Sequence, residues 1–340
     1  MNDTLQKNLD YKKFVVDSKL QYFKPHASKI EKTFSEELSL SLSENSKFIS
    51  PKFFYDKKGS VLFEKICTLP EYYPTRTEVS ILKKLQNELP DHLDESFRLV
   101  ELGSGASVKT RLIIDIFTKL QKQTEYFPID ISEILAESSE QLLKDYNSLH
   151  ITGIIDTYEG GLEFLKNYDH KKNLIIFLGS SFGNFSPDDG YAFLQKIHST
   201  MKSGDLFLIG LDLVKDKIIL ENAYDDADGV TAEFNLNVLS RINDELDADF
   251  NLENFKHYSI YNEDKQRIEM YLKSLVNQLV IISKSNLLLN LKKDELIHTE
   301  YSHKYRLSQI HDLLADVGFE LKHSWLDDKK HFSLTLVSKN

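Results

Sequence analysis

The sequence predicts a doubly wound α/β fold with a second α+β part attached, and three observations predict it. Between residues 97 and 213, short apolar runs alternate with amphipathic stretches, the pattern of strands and helices in a parallel sheet. The alternation stops over residues 214 to 302, where period-two segments and an acidic helical stretch replace it. It then resumes with one helix and two strands up to the carboxyl terminus.

Each element has its own reason. FRLVEL (97–102) is a short buried strand, and Lys109 to about Lys122 follows as a helix with Leu112, Ile113, Ile116 and Leu120 on one side. EYFPIDIS (125–132) is a second strand closing at Asp130, ILAESSEQLLKDYN a second helix, HITGIID (150–156) a third strand and NLIIFLGS (173–180) a fourth. Ser186 caps a helix with Pro187 at its first position and Asp188 and Asp189 facing the positive end of its dipole, and Gly204 closes it. DLFLIGLDL (205–213) is the fifth strand. HYSIY and RIEMYL read as paired strands within the interruption. A helix from Ser308 to Val317 is stopped by Gly318, and FELKHSWL and HFSLTLV form a terminal hairpin. With a helical amino-terminal segment, residues 1–76 and 214–302 make one part and residues 77–213 with 303–340 the other.

Composition narrows the function. A net charge of −11 argues against a duplex nucleic acid partner, whose phosphates need Lys and Arg. Cys67 is the only cysteine, so no internal disulfide or cysteine-rich zinc site forms, which fits a reducing cytoplasm. The amino terminus lacks the apolar core of a secretory signal, and no apolar run approaches the ~20 residues of a membrane span. The chain is read as a cytoplasmic monomer that binds neither membrane nor nucleic acid.

In a doubly wound sheet the ligand sits beyond the carboxyl ends of the strands. There VELGSGASVKTR places Glu101, Gly103 and Gly105 at the end of the first strand. Val108 stands where a dinucleotide loop has its third glycine, and where a G-x-x-x-x-G-K-[ST] phosphate loop has the glycine before Lys109 and Thr110. An acid followed by G-x-G remains, and it is similar to the first motif of S-adenosylmethionine-dependent methyltransferases. Asp130, closing the second strand, suits the two ribose hydroxyls of an adenosine cofactor. The turn after the third strand, with Asp156, Thr157 and Tyr158, lies where adenine is expected. YDDADG (224–229) fails as a calcium loop, because Tyr224 takes the first ligand position and Asn235 the twelfth. The histidines lack metal-ligand spacing, and no metal is expected.

Longer stretches carry a more specific resemblance. PKFFYDKKGSVLFEKICTLPEYYPTRTE, VELGSGASVKTR, YFPIDIS, FLGSSFGNFSPDD, GLDLVKD, AYDDADGVTAEFNLNVL and IHTEYSHKY resemble, in order, the histidine Nα-methyltransferases of ergothioneine biosynthesis. The resemblance implies a Rossmann-like class I methyltransferase sheet with a substrate-binding domain. It also implies S-adenosylmethionine as cofactor and trimethylation of the α-amine of free L-histidine to hercynine.

Position by position, the resemblance implies that Gly103, Lys109 and Asp130 contact the cofactor, with Glu101 and Gly105 in the same loop and Thr157 and Tyr158 near the adenine. It implies that Asn184 and Tyr224 hold the substrate carboxylate, that Tyr55, as the catalytic group, and the Gly179 carbonyl lie by the amine, and that Glu300 and Ser302 grip the imidazole. Tyr72 and Met270 match positions lining the same pocket. Glu300 and Ser302, two apart in an extended segment, share one face. A methyltransferase for another free amino acid or biogenic amine remains the alternative. A nucleic-acid amino-methyltransferase is disfavoured by the acidic balance, and a catalytically idle cofactor-binding protein by the intact substrate residues.

Overall fold

A computed structural model describes residues 11–26, 33–94, 96–103, 108–132 and 134–339. The chain divides into two compact units, one of residues Met1–Lys29, Thr77–Leu213 and Tyr305–Asn340, the other of Ile30–Arg76 and Val214–Lys304. Elements are numbered along the chain.

The first unit is built on a nine-stranded sheet. Its centre is β3 (Phe97–Leu102), β4 (Thr124–Asp130), β5 (Leu149–Ile155), β6 (Lys172–Phe177) and β7 (Leu206–Asp212), all parallel and ordered β5-β4-β3-β6-β7. Every residue of β3 and β7 is buried, and both strands read as largely apolar runs, broken by Arg98 and Glu101 in β3 and by Asp212 at the end of β7. The strand order reverses between β3 and β6, the place where such sheets open a crevice for a ligand. The terminal hairpin, β13 (Phe319–Leu326) and β14 (Phe332–Lys339), adds antiparallel to β7 through β14. Two apolar layers cover the sheet, one holding Ile81, Leu82, Leu85, Ile113 and Phe117, the other Leu162, Leu165, Leu194, Ile197 and Leu314. Their helices are α3 (Tyr73–Glu88), α4 (Val108–Leu120), α6 (Tyr158–Tyr168), α7 (Pro187–Thr200) and α10 (Leu307–Val317), with α5 (Ile134–Asp145) after β4.

Two local expectations change. The amino-terminal segment is not wholly helical and does not fall entirely in the second unit: β1 (Tyr11–Val15) and β2 (Leu20–Pro25) form an antiparallel hairpin, and β2 pairs parallel with β5. The backbone there is claimed by the open edge of β5, and local pattern gives way to ladder hydrogen bonds. Helix α7 is capped by Ser186, whose hydroxyl accepts from the Asp189 amide, but it ends at Met201. Gly204, at φ +88°, serves the turn into β7 instead.

The second unit is α+β. β8 (Phe255–Asn262), β9 (Arg267–Ser274) and β12 (Leu296–His303) form an antiparallel sheet ordered β12-β9-β8, and β10 (Gln278–Ile282) pairs with β11 (Leu287–Leu291). Helix α9 (Val230–Leu246) lays Phe234, Val238, Leu239, Ile242 and Leu246 into a core with Leu272, Val280, Leu289 and Ile297. The remaining helices are α1 (Phe34–Ser43), α2 (Lys57–Thr68) and α8 (Lys217–Tyr224).

Candidate active site

In the first unit the carboxyl ends of β3, β4 and β5 lie side by side: Leu102 pairs with Ile129, and Asp130 with Ile155. Gly103 follows at φ +73°, with its amide donating to the Ile129 carbonyl at 2.9 Å. A Cβ there would stand 2.8 Å from the Tyr158 hydroxyl, so conformation and space both require glycine. Gly105 lies outside the described residues.

Asp130 Oδ1 accepts from the Ser132 amide at 2.8 Å. Burial raises its carboxyl above the ordinary range, against the pull of the Ser132 and Ile131 amides. Tyr158 is raised too, by burial first and then by Asp130 and Glu159. The Thr157 hydroxyl caps α6 by accepting from the Gly160 amide at 3.1 Å, which leaves its own hydrogen to donate. Asp156 accepts from the Thr157 amide at 2.7 Å and from the Tyr11 hydroxyl of the added hairpin.

Glu101 is buried and turned inward. Its carboxylate accepts from Thr110 Oγ1 at 2.9 and 3.0 Å and from Tyr126 Oη at 2.5 Å. Burial pushes it up to about 7, although both hydroxyls and the Lys109 charge oppose the rise. It therefore ties β3 to Thr110 of α4 and Tyr126 of β4. Lys109 lies 3.0 Å from Glu78, whose buried carboxylate also accepts from the Gly179 amide at 2.9 and 3.0 Å. Gly179 is itself at φ +82°. Asn184 closes the short turn Ser181–Asn184 after β6 and is part-exposed. Its side-chain amide makes no hydrogen bond among the described residues.

In the second unit, Tyr55 sits between the turn Pro51–Phe54 and Asp56, which caps α2 by accepting from the Gly59 amide at 2.6 Å. Its ring stands 5.6 Å from Phe63 and 5.9 Å from Phe234 between centroids, and the residue is 44% exposed. Tyr72 meets Phe63 and Tyr224 edge-on. Burial holds its phenol well above the usual range, with Tyr224, Cys67, Glu300 and Tyr55 adding to the rise. One tyrosine thus has Tyr55, Tyr224 and Glu300 around it.

A bulge in β12 between His298 and Glu300 sets the register in which Glu300 pairs with Met270 and Ser302 with Ile268. Glu300 is 9% exposed, and its carboxylate has no hydrogen-bond donor among the described residues. Burial pushes it up to about 7, with the Lys304 charge opposing. Tyr224, the last residue of α8, reaches Ser302 Oγ at 2.8 Å. The acidic turn after it serves the backbone, since Asp226 accepts from the amides of Val230 and Thr231 at 2.9 and 2.7 Å and so opens α9.

The second unit therefore brings Tyr72, Tyr224, Met270, Glu300 and Ser302 together, and the first gathers Gly103, Asp130 and Tyr158 at adjacent strand ends. Two residues escape a reading of the sequence. Glu78 lies on the stripe of Ile81, Leu82, Leu85 and Leu89, and a lone acid on an apolar helix face is its signal. Lys304 continues the alternation Glu300, Ser302, so an acid, a hydroxyl and a base share one face.

The family model described as histidine-specific, S-adenosylmethionine-dependent methyltransferase matches residues 34–339. Histidine N-alpha-methyltransferase of Mycolicibacterium smegmatis is 39% identical over 298 residues, 87% of this chain and 92% of that protein. The protein of the same name from Mycobacterium tuberculosis is 37% identical over 299 residues, 88% and 92% of the two chains. Ergothioneine biosynthesis protein 1 of Neurospora crassa is 28% identical over 292 residues, 84% of this chain but 32% of its own length. With the match running through both units, the chain belongs to the histidine-specific, S-adenosylmethionine-dependent methyltransferase family.

Proposed function

We propose that this protein transfers methyl groups from S-adenosylmethionine to the α-amine of free L-histidine, ending in the trimethylated product hercynine. The observation that carries the substrate is the buried Glu300 carboxylate without a donor among the described residues. A buried acceptor in that state costs free energy, which a ring N–H relieves. Ser302 on the same face offers a hydroxyl to the second ring nitrogen. A substrate with an apolar ring would leave Glu300 unpaired.

The residues at the strand ends fit the cofactor. Gly103 leaves open a space that a Cβ would close against Tyr158. Asp130 would accept the ribose hydroxyls, Lys109 and Gly105 would complete the loop that follows Glu101, and Thr157 and Tyr158 would border the adenine. When bound, the cofactor supplies an electrophilic methyl group on a sulfonium. The protein's own work is to hold a neutral amine aligned and dry, and no strong base is required. Tyr55 would accept or relay the amine proton, and the Gly179 carbonyl would accept an amine N–H. Asn184 and Tyr224 would hold the carboxylate, with Tyr72 and Met270 lining the ring.

No helix among the described residues is long and apolar enough to cross a membrane. With the single cysteine and the acidic balance, this supports a cytoplasmic protein, which we read as a monomer. Mass spectrometry of L-histidine incubated with protein and S-adenosylmethionine tests the function. Successive mass gains of one, two and three methyl groups are expected. Methylation of tryptophan or another amine in preference to histidine would favour the alternative substrate class instead.

A further inference from the structure

Lys304 is 2% exposed, and its Nζ donates to Tyr224 Oη at 3.0 Å and to Ser302 Oγ at 2.8 Å. Tyr224 Oη and Ser302 Oγ are 2.8 Å apart, which closes a triangle. The ammonium also lies 4.7 Å from the centre of the Tyr224 ring. An ammonium has hydrogens and no lone pair, so both oxygens must accept from it. With the Tyr224 hydroxyl hydrogen kept for the substrate carboxylate, the serine oxygen still accepts from the ammonium, which approaches it from the Tyr224 side. Its own hydrogen then points away from the triangle.

We propose that Lys304 is a positioning residue for recognition of the substrate ring: its ammonium fixes Ser302 as a hydrogen-bond donor beside the Glu300 acceptor, so that the pair reads an uncharged imidazole and rejects the imidazolium ion. The proposal rests on histidine being the substrate. A neutral imidazole presents one N–H and one lone pair, which match one acceptor and one donor. An imidazolium presents two N–H groups, and the second would face a serine oxygen that already accepts from a buried cation.

Lys215 is a further cation near the triangle, and its Nζ donates at 2.7 Å to the hydroxyl of Tyr73, which shares an apolar cluster with Tyr224. Glu300 lies on the same strand as Ser302, and Tyr72 packs against Tyr224. On β8, His257 meets the Tyr224 carbonyl through Nε2 at 2.9 Å, and burial holds its ring below the ordinary range, with Asp225 and Asp226 opposing. Asp225 lies 4.0 Å from that ring. On β9, Arg267 and Glu269 flank Ile268, the partner of Ser302. They pair with each other at 2.8 Å, and Arg267 stacks on Tyr301, which alternates to the other face along with His303.

The test is the ratio of kcat/KM for L-histidine to that for 1,2,4-triazol-3-ylalanine, followed from pH 8 to pH 5.5 with the full-length protein. The triazole has the same donor and acceptor but stays uncharged across the range, so the α-amine and the protein groups that do not touch the ring cancel in the ratio. Because the histidine ring titrates near 6.5, the wild-type ratio should fall about tenfold. In Lys304→Met the fall should shrink below about threefold, with KM for histidine raised and kcat retained at pH 8. Ser302→Ala should flatten the ratio in the same way. A wild-type enzyme that methylates histidine with a flat ratio overturns the proposal and leaves the substrate intact. A Lys304→Met enzyme that keeps the full fall overturns it as well, and the wild-type arm decides even if that variant does not fold. No product from histidine would sink the substrate reading, and this proposal with it.

Discussion

Lys109 Nζ stands 3.0 Å from Glu78 Oε2, and the same carboxylate, itself 0% exposed, takes the Gly179 amide. One buried acid therefore ties α3 to the lysine of the glycine loop and to the turn after β6. Removing it leaves the Gly179 amide without this acceptor and takes the carboxylate away from Lys109. Glu78→Ala should cost about 2–4 kcal/mol, read by denaturant unfolding. A Cβ on Gly210 would lie 2.3 Å from Glu78 Oε1, so Gly210→Ala should reproduce part of that loss. Stability unchanged in both variants would show the tie to be idle.

Glu300 should make the protein less stable as pH rises. Its folded value near 7 lies above the ordinary 4.5, so between those values the folded state holds a proton that the unfolded chain has released. Stability attached to that proton is full below about 4.5 and lost by about 7. Glu300→Gln should therefore be more stable than wild type at pH 8, by up to about 3 kcal/mol, with the gain disappearing towards pH 5. Thermal unfolding at the two pH values measures it. A gain independent of pH would exclude titration of this residue as the cause.

Asp130→Asn keeps an oxygen for the Ser132 amide and removes the charge. Binding of S-adenosylhomocysteine, followed by calorimetry, should weaken by about 1.5–3 kcal/mol. Unaltered affinity would remove Asp130 from the ribose.

Glu300→Ala should change selectivity rather than merely slow the enzyme. Loss of a charge-assisted bond to the ring is expected to lower kcat/KM for histidine by roughly 2–4 kcal/mol, while tryptophan and phenylalanine gain relative to it. Asn184→Ala should weaken all amino acids together, because their carboxylates are alike. Paired-substrate competition separates the two patterns, and unchanged histidine preference in Glu300→Ala would refute the assignment.

Much of the central sheet was readable because buried parallel strands are nearly continuous apolar runs, and FRLVEL coincides with β3. The position of Gly103 and Asp130 was readable for a related reason: strand periodicity puts both at the carboxyl ends of adjacent parallel strands, where they stand. The hairpin of β1 and β2 was not, since YKKFV is short and half polar and becomes a strand only by pairing. Lys304 was hidden differently. A lysine reads as a surface residue until its neighbours are known, and only Tyr224, distant in sequence, shows that its ammonium is buried.

The β1–β2 hairpin lies before the region matched by the family model, and it occupies the edge of β5. Without it, β5 would end the sheet with its ladder of amides and carbonyls unpaired, flanked by the apolar side chains of Ile151 and Ile154. With it, the outermost strand is the five-residue β1, which carries Lys12 and Lys13. A short, cationic border is a poor template for another chain to extend. A chain trimmed of residues 11–25, its β5 edge uncovered, is expected to cluster at concentrations where the full chain stays dispersed, which light scattering of the two chains measures.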